Sequence, residues 1–332
     1  MTASERLAVL GAGSWGTALA IQLARNGARV ALWGHDADEI TALQRDRENR
    51  HYLPGVALPD RLQPTADLGE AVGDADEVLI VVPSHAFAAV CTRLATLRPT
   101  LRTLSWATKG FDPGSGHLLS EVAAEALPGC SLAVVSGPTF ANEVARGLPT
   151  AITVAANNAL HAERVAGYLH GQNFRAYTSD DLVGVQVGGA SKNVMAIAAG
   201  ISDGLGFGAN ARAALITRGL HEIMRLGLAL GGRPETFMGL AGLGDLALTC
   251  TDNQSRNRRM GLALARGLSI DAARQEIGQE VEGVGTAREV HAIAQRLDVE
   301  MPITEQTYGV LYQGLDPSAA VRNLLSREAK SE

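Results

Sequence analysis

Lysine is nearly absent from this chain. Of 29 basic residues only Lys109, Lys192 and Lys330 are Lys, and the rest are Arg. Cysteine is scarce as well. Cys91, Cys130 and Cys250 are odd in number and widely spaced, which fits neither a disulfide framework nor a zinc site and points to a reducing cytoplasm. No cluster with metal-ligand spacing is seen, so no metal is expected. Aromatic residues make up 4% of the chain, so its core is expected to be aliphatic. No apolar run approaches the ~18 residues of a membrane helix. The opening Met1-Thr-Ala-Ser-Glu-Arg6 has no apolar signal core. A formal net charge of −6 gives no reason to expect nucleic-acid binding.

The scarcity of lysine singles out the lysines that remain. Arg is a wide planar fork that stays charged. Lys is a compact ammonium that burial can make give and take a proton. A chain so biased toward Arg keeps Lys where Arg will not serve. Lys330 lies in a polar tail. Lys109 and Lys192 sit beside small residues, in Thr-Lys-Gly and in Gly188-Gly-Ala-Ser-Lys-Asn193. The alternative is two ordinary surface lysines.

With 332 residues, 46% of them apolar, two domains are expected, because single cores stop growing near roughly 250–300 residues. The first half reads as α/β. Leu7–Leu10 is a strand, Gly11-Ala-Gly-Ser-Trp-Gly16 a turn, 18–25 a helix and 28–33 a second strand. In that setting Gly-x-Gly-x-x-Gly has a physical meaning. Gly11 permits the tight turn, Gly13 lets backbone approach a pyrophosphate, and Gly16 lets the helix pack on the strand. The helix N-terminus offers N–H groups to the phosphates. Further strands are expected at 77–82, 101–106, 132–136, 151–155 and 174–177, with helices at 86–97 and 118–126. This alternation predicts a parallel, doubly wound Rossmann-type sheet over 1–180. Three polar stretches fall at strand ends: Pro83-Ser-His85, Ala107-Thr-Lys-Gly110 and Gly137-Pro-Thr-Phe-Ala141.

Cofactor choice turns on the end of the second strand. NAD enzymes carry an acid there. Here the strand ends at Trp33, Gly34-His35 follow, and Asp36 comes later. His35, helped by the basic segment Arg45–Arg50, would face a 2′-phosphate, or it is an ordinary loop histidine. The expectation is NADP(H), with NAD(H) also accepted.

From 181 onward the strand signals stop and an all-helical domain, 181–332, is expected. Asp180 or Asp181 can cap a Gly/Ala-rich helix running to about Gly200, with Lys192 inside it. Helical patterns follow at 211–230, 257–266, 270–276, 286–297, 305–313 and 318–327. Gly239-Leu-Ala-Gly-Leu-Gly-Asp-Leu246 reads as a tight loop fixing the Asp245 carboxylate, or as a turn with a solvated Asp. Asn253-Gln-Ser-Arg-Asn-Arg-Arg259 places Ser255 at a helix start with Arg256 next, a phosphate cradle or a capped helix with a basic face. Glu280-Val-Glu-Gly-Val-Gly285 reads as a loop beside something bound.

Together these residues closely resemble the bacterial NAD(P)-dependent glycerol-3-phosphate dehydrogenases. The resemblance runs from about 7 to 325 through GAGSWGTALA, WGHD, YLPG, VVPSH, ATKG, SGPTFA, GGASKNVMAI, DGLGFGANARAALITRGL, GLGDLALTC, SRNRRMG and EVEGVGTA. It implies that Lys192 is the proton acceptor. It matches Ser14, Trp15, His35, Lys109, Ala141, Arg256, Glu280 and Glu282 to cofactor contacts. It matches Lys109, Gly137, Thr139, Asp245, Ser255, Arg256 and Asn257 to the glycerol phosphate site. Two positions depart from the pattern. Trp15 is larger than the Tyr or Phe also found there, and Glu280 stands where an apolar residue such as Val is also found, so no side-chain role follows from that match. The resemblance further implies a cytoplasmic homodimer that feeds glycerophospholipid synthesis.

The chemistry is consistent with this. Oxidising a secondary alcohol needs a base at the hydroxyl. Lys192 serves if burial and Lys109 lower its pKa from about 10.4 toward roughly 7–8; Asp245 would oppose that shift. Three alternatives stay open. A ketopantoate-type or β-hydroxyacid reductase would take a carboxylate. A sugar-nucleotide dehydrogenase would need a nucleophilic Cys, for which Cys250 is the candidate in the helical half. A redox sensor would bind the dinucleotide without turnover.

Overall fold

The computed structural model describes residues 5–326; Lys330 lies outside them. The chain divides into two compact units. One runs from the N-terminus through Asp112 and takes in His117–Gln186; the other takes in Pro113–Gly116 and everything from Val187 onward.

The first unit is built on a single eight-stranded sheet. Its strands are β1 (Arg6–Leu10), β2 (Arg29–Trp33), β3 (Leu62–Thr65), β4 (Glu77–Ile80), β5 (Thr103–Trp106), β6 (Ser131–Ser136), β7 (Thr150–Ala156) and β8 (Phe174–Ser179). Their order is β3-β2-β1-β4-β5-β6-β7-β8. The first six are parallel, but β7 pairs antiparallel to β6 and β8 runs parallel to β7. The expectation of a parallel sheet therefore holds only as far as β6. A parallel return needs a long crossover, usually a helix lying along the sheet, and the link after β6 holds only the five-residue helix Ala141–Ala145.

Helix Ser14–Arg25 starts four residues earlier than its apolar pattern suggests, and every residue from Gly16 to Ala24 is buried. A helix buried all round has no polar face, so periodicity cannot mark its first turn. It packs in an aliphatic core with Leu7, Val9, Leu32, Leu79, Val135 and Val154. Several elements were not read from the sequence pattern, among them helix Ala159–Leu169, strand β3 and helix Ala37–Asp46. β3 contains Pro64, which an edge strand tolerates because no ladder N–H is needed there. Helix Ala37–Asp46 buries only Ile40 and Leu43, too narrow a stripe to read.

The second unit is helical among its described residues. Helix Leu182–Gly204 is buried almost throughout, as its small residues predict. A Cβ on Gly200 would lie 2.1 Å from the Arg258 carbonyl oxygen, and one on Gly188 would lie 2.5 Å from that of Ala241. Glycine there is what lets neighbouring backbones touch this helix. The others are Gly208–Ala229, Pro234–Phe237, Asp245–Thr251, Arg256–Ala265, Ile270–Ile277, Glu282–Arg296, Pro302–Tyr312 and Pro317–Leu325. Two expected loops are not loops. Leu240–Gly244 forms a π-helical turn running into helix Asp245–Thr251, and Glu282 is already the first residue of a helix. Glycine-rich sequence reads as irregular, but here close packing fixes it in helical form.

Candidate functional site

The first unit presents one cluster at the carboxyl ends of its parallel strands. Gly11 follows β1 with φ +130°, and its N–H donates to the Trp33 carbonyl at 2.8 Å. A Cβ on Gly11 would lie 2.4 Å from the Val81 carbonyl oxygen, and one on Gly16 would lie 1.8 Å from the Gly11 carbonyl oxygen. Those two glycines are required by the fold itself. Gly13 is different. It caps the helix at an ordinary φ of −71°, and a Cβ there would meet nothing within 4 Å. The fold does not need glycine at that position, but a phosphate approaching the helix N-terminus does. The turn therefore fits a dinucleotide. Ser14 and Trp15 form the first helical turn; both are half-buried, and the Trp15 indole N–H is buried without a hydrogen-bond partner.

At the tip of β2, His35 is exposed. Asp36 is committed elsewhere, because its Oδ1 accepts from the Asp38 and Glu39 N–H groups and so caps helix Ala37–Asp46. The basic segment beyond has partners of its own. Arg45 pairs with Asp46, Arg50 lies 3.4 Å from Asp46, and Arg47 donates to the Pro59 and Leu62 carbonyls. Lys109, past the end of β5, donates to the Gly137 carbonyl at 3.5 Å, and the Thr139 hydroxyl donates to the same oxygen at 3.2 Å. Adjacent strands β5 and β6 thus bring Lys109, Gly137 and Thr139 together. Ala141 opens the short helix that follows. His85, from the polar stretch after β4, is exposed in the first turn of helix Ser84–Leu97.

The second unit presents a polar cluster around the middle of helix Leu182–Gly204. The Lys192 ammonium donates to Asp245, and also to the Thr249 hydroxyl at 2.8 Å. Thr249 in turn donates to the Asp245 carbonyl at 2.6 Å. Asp245 and Thr249, one helical turn apart, present both acceptors on one face. The next residue, Asn193, accepts from the Asn257 amide at 2.9 Å, and Asn257 accepts from the Gly283 N–H at 2.9 Å. The Asn193 Nδ2 is buried without a hydrogen-bond partner, which is costly unless a ligand supplies an acceptor.

Ser255 is the N-cap of helix Arg256–Ala265 and accepts from the Arg258 N–H at 3.1 Å. Its hydroxyl hydrogen remains able to donate. The arginines that follow divide by direction. Arg258 is buried and donates to Asp203 at 2.6 Å, and Asp203 also accepts from Arg212 at 3.0 Å. Arg256 is half-exposed at the helix start. Burial, and then the nearby Arg256 charge, lower the pKa of Arg259 from its usual value. Glu280 is exposed, and Glu282 is half-buried beside Gly283. Cys250 is buried and its thiol is pushed up to about 12, chiefly by burial, which leaves it protonated and poorly suited to be a nucleophile. Among the described residues, no group of three or more His, Cys, Asp or Glu is arranged to hold a metal ion. Sequence reading missed Thr249 and Asn193. Asn193 adjoins Lys192, and its position beside that singled-out lysine was a usable signal; a threonine within a helix carries none.

Residues 6–162 match the family described as NAD-dependent glycerol-3-phosphate dehydrogenase N-terminus, and 181–322 match its C-terminus. The chain is 58% identical over 328 residues to a glycerol-3-phosphate dehydrogenase (NAD(P)+) of Methylococcus capsulatus, covering 98% of both chains. It is 56% identical over 336 residues to that of Pseudoalteromonas translucida, covering 100% of this chain and 99% of the other. It also resembles the crystal structure of glycerol-3-phosphate dehydrogenase from Coxiella burnetii, with TM-score 0.96 and 49% identity over 98% of this chain and 100% of that one.

Proposed function

The chain belongs to the NAD-dependent glycerol-3-phosphate dehydrogenase family, and from that premise we propose how its residues divide the work. It is an NAD(P)-dependent oxidoreductase that interconverts sn-glycerol 3-phosphate and dihydroxyacetone phosphate. Residues 1–180 hold the dinucleotide and 181–332 the phosphorylated substrate. The bound nicotinamide supplies hydride exchange with the alcohol carbon. Gly11, Gly13, Ser14, Trp15 and Gly16 hold the pyrophosphate side, and His35 meets the adenosine ribose. Ala141, Lys109, Arg256, Glu280 and Glu282 add further cofactor contacts.

Lys192 is the acid–base group. In the oxidising direction its Nζ takes the hydroxyl proton as the C–H bond breaks and the C=O bond forms. In the reducing direction its ammonium polarises the ketone and returns that proton. Asp245 orients it. Lys109, Gly137 and Thr139 contribute to the substrate site. Ser255, Arg256 and Asn257 hold the phosphate, a remote group whose binding positions the reacting carbon. The observation that carries this reading is the buried Lys192–Asp245–Thr249 cluster.

NADP(H) is the preferred carrier and NAD(H) is accepted, since the exposed strand-tip residue is His35 and Asp36 is engaged as a cap. We further propose a cytoplasmic homodimer supplying glycerophospholipid synthesis. The three free, buried cysteines are consistent with a reducing compartment. No helix among the described residues is long and apolar enough to cross a membrane. The test is a cofactor-absorbance assay with dihydroxyacetone phosphate and NADPH or NADH in parallel. Rapid oxidation dependent on the phosphorylated substrate, faster with NADPH, is expected. Oxidation only with a carboxylate ketone such as ketopantoate would overturn the substrate, and faster turnover with NADH would overturn the carrier preference.

A further inference from the structure

Asn49 is the side chain that links the glycine turn to the segment crossing it. It is 1% exposed, although it lies between charged neighbours Glu48 and Arg50. Its Nδ2 donates to the Ala12 carbonyl at 2.8 Å and to the Thr17 hydroxyl at 2.8 Å. Thr17, fully buried, donates to the same Ala12 oxygen at 3.3 Å. The Asn49 Oδ1 accepts from the Tyr52 N–H at 3.1 Å, and its backbone carbonyl accepts from the Leu53 N–H at 2.8 Å. Every polar group of this amide is thus oriented by a partner.

The segment behind it is firmly held. Arg47 adopts φ +52°, and its carbonyl accepts from the Leu58 N–H at 2.8 Å. Glu48 and Ala57 form a bridge, and the Glu48 carboxylate accepts from the Gly55 N–H at 2.8 Å. Leu53, Val56 and Leu58 are buried in the aliphatic core of the first unit. This loop therefore has the rigidity to impose a geometry on the turn it touches.

The consequence follows from peptide planarity. In a trans peptide the C=O and the following N–H point in opposite directions, and no peptide among the described residues is cis. Drawing the Ala12 carbonyl toward Asn49 and Thr17 turns the Gly13 N–H the other way. Gly13 is the residue whose Cα faces open space at the start of helix Ser14–Arg25. We infer that Asn49 is a positioning residue for the dinucleotide: through the Ala12 carbonyl it aims the Gly13 amide at the pyrophosphate, with Thr17 as its partner. This rests on the reading of the glycine turn as the dinucleotide site.

The experiment compares Asn49→Ala, Thr17→Val and Thr17→Ser with the wild-type enzyme. It measures NADPH and NADH Kd by fluorescence titration, KM for cofactor and for dihydroxyacetone phosphate, kcat, and Tm without ligand. Asn49→Ala is expected to raise both cofactor Kd values about tenfold, the scale of one buried acceptor losing its donor. KM for dihydroxyacetone phosphate and kcat at saturating cofactor should stay within about twofold. Thr17→Val should move the cofactor constants the same way by less, and Thr17→Ser, which keeps the hydroxyl, should restore them. Cofactor constants unchanged in folded Asn49→Ala, or both KM values rising together, would overturn the inference. If Asn49→Ala does not fold, the Thr17→Val and Thr17→Ser pair reads the same contact and decides it. Wild-type protein that binds neither cofactor would instead bring down the dinucleotide reading and the inference with it.

Discussion

Lys192 and Asp245, 53 positions apart in the sequence, form an ion pair inside the helical unit, with Asp245 wholly buried and the Lys192 side chain 7% exposed. Thr249 binds the same ammonium from one helical turn further along. Two acceptors on one short helix hold the lysine in place from a single rigid element, so its position does not depend on the substrate. Preorganisation of this kind is what an acid–base group needs.

Lys192→Arg tests the role of that group. Arg keeps the charge but cannot give up a proton at working pH. We predict a loss of kcat of about 10³-fold, with the NADPH Kd changed by less than about threefold, read by absorbance assay and fluorescence titration. Near-normal turnover would show that another group moves the proton.

Asp245→Asn tests the pairing. Removing one member leaves the ammonium buried without its counter-charge, which costs about 3–5 kcal/mol. Urea unfolding should show that loss in the single variant. Most of it should return in the Lys192→Met/Asp245→Asn double variant. Equal stability of the single variant and the wild type would mean that water reaches the pair.

What the sequence made legible was set by composition and sterics. Lys192 stood out because lysine is rare, and Gly11-x-Gly13-x-x-Gly16 because a strand precedes it. Asp245 was marked by the glycines before it. Thr249 left no mark, since its role comes from lying one turn beyond Asp245 in a helix whose start was read as a loop. Asn49 was hidden in a segment read as basic, where the arginines pair locally and the neutral amide turns inward. β3 escaped because Pro64 argues against a strand everywhere except at an edge. The reversal of β7 depended on the short connection after β6, which strand patterns do not encode.

Gly13→Ala and Gly16→Ala separate what the turn does for the fold from what it does for a ligand. A Cβ on Gly13 meets nothing within 4 Å, whereas one on Gly16 lies 1.8 Å from the Gly11 carbonyl oxygen. Gly13→Ala should melt within about 2 °C of the wild type while its cofactor Kd rises about tenfold or more. Gly16→Ala should lose roughly 2–3 kcal/mol of stability, the scale of core overpacking. Equal melting of the two variants would contradict the assignment of Gly13 to the ligand.

Arg256→Ala addresses the phosphate cradle. A charged hydrogen bond to phosphate is worth about 1.5–3 kcal/mol. The kcat/KM for dihydroxyacetone phosphate should therefore fall roughly 10- to 100-fold. Activity with dihydroxyacetone, measured at high concentration and saturating cofactor, should change by less than about threefold. A parallel loss with both substrates under those conditions would count against the phosphate cradle and leave Arg256 no role specific to the phosphate.

Glu222 gives a pH dependence of stability remote from the chemistry. Its buried carboxylate accepts from the Ile303 N–H at 2.6 Å, and from the Thr304 N–H at 3.1 Å and hydroxyl at 3.2 Å, so it caps helix Pro302–Tyr312. Burial pushes its pKa from 4.5 up to about 7, against the pull of those donors and of Arg225. A raised folded-state pKa means that the native protein holds the proton when the unfolded chain has already released it. Stability from this group is thus fully present below about pH 4.5 and is lost as pH rises toward about 7. The loss amounts to about 3 kcal/mol at most. Glu222→Gln keeps the shape and one acceptor oxygen but cannot titrate. The Tm of the wild type minus that of Glu222→Gln should therefore fall steadily from pH 4.5 to 7 and level off above. A difference that instead grows with pH would mean that the helix N-terminus and its donors outweigh burial, and that Glu222 caps as a carboxylate throughout.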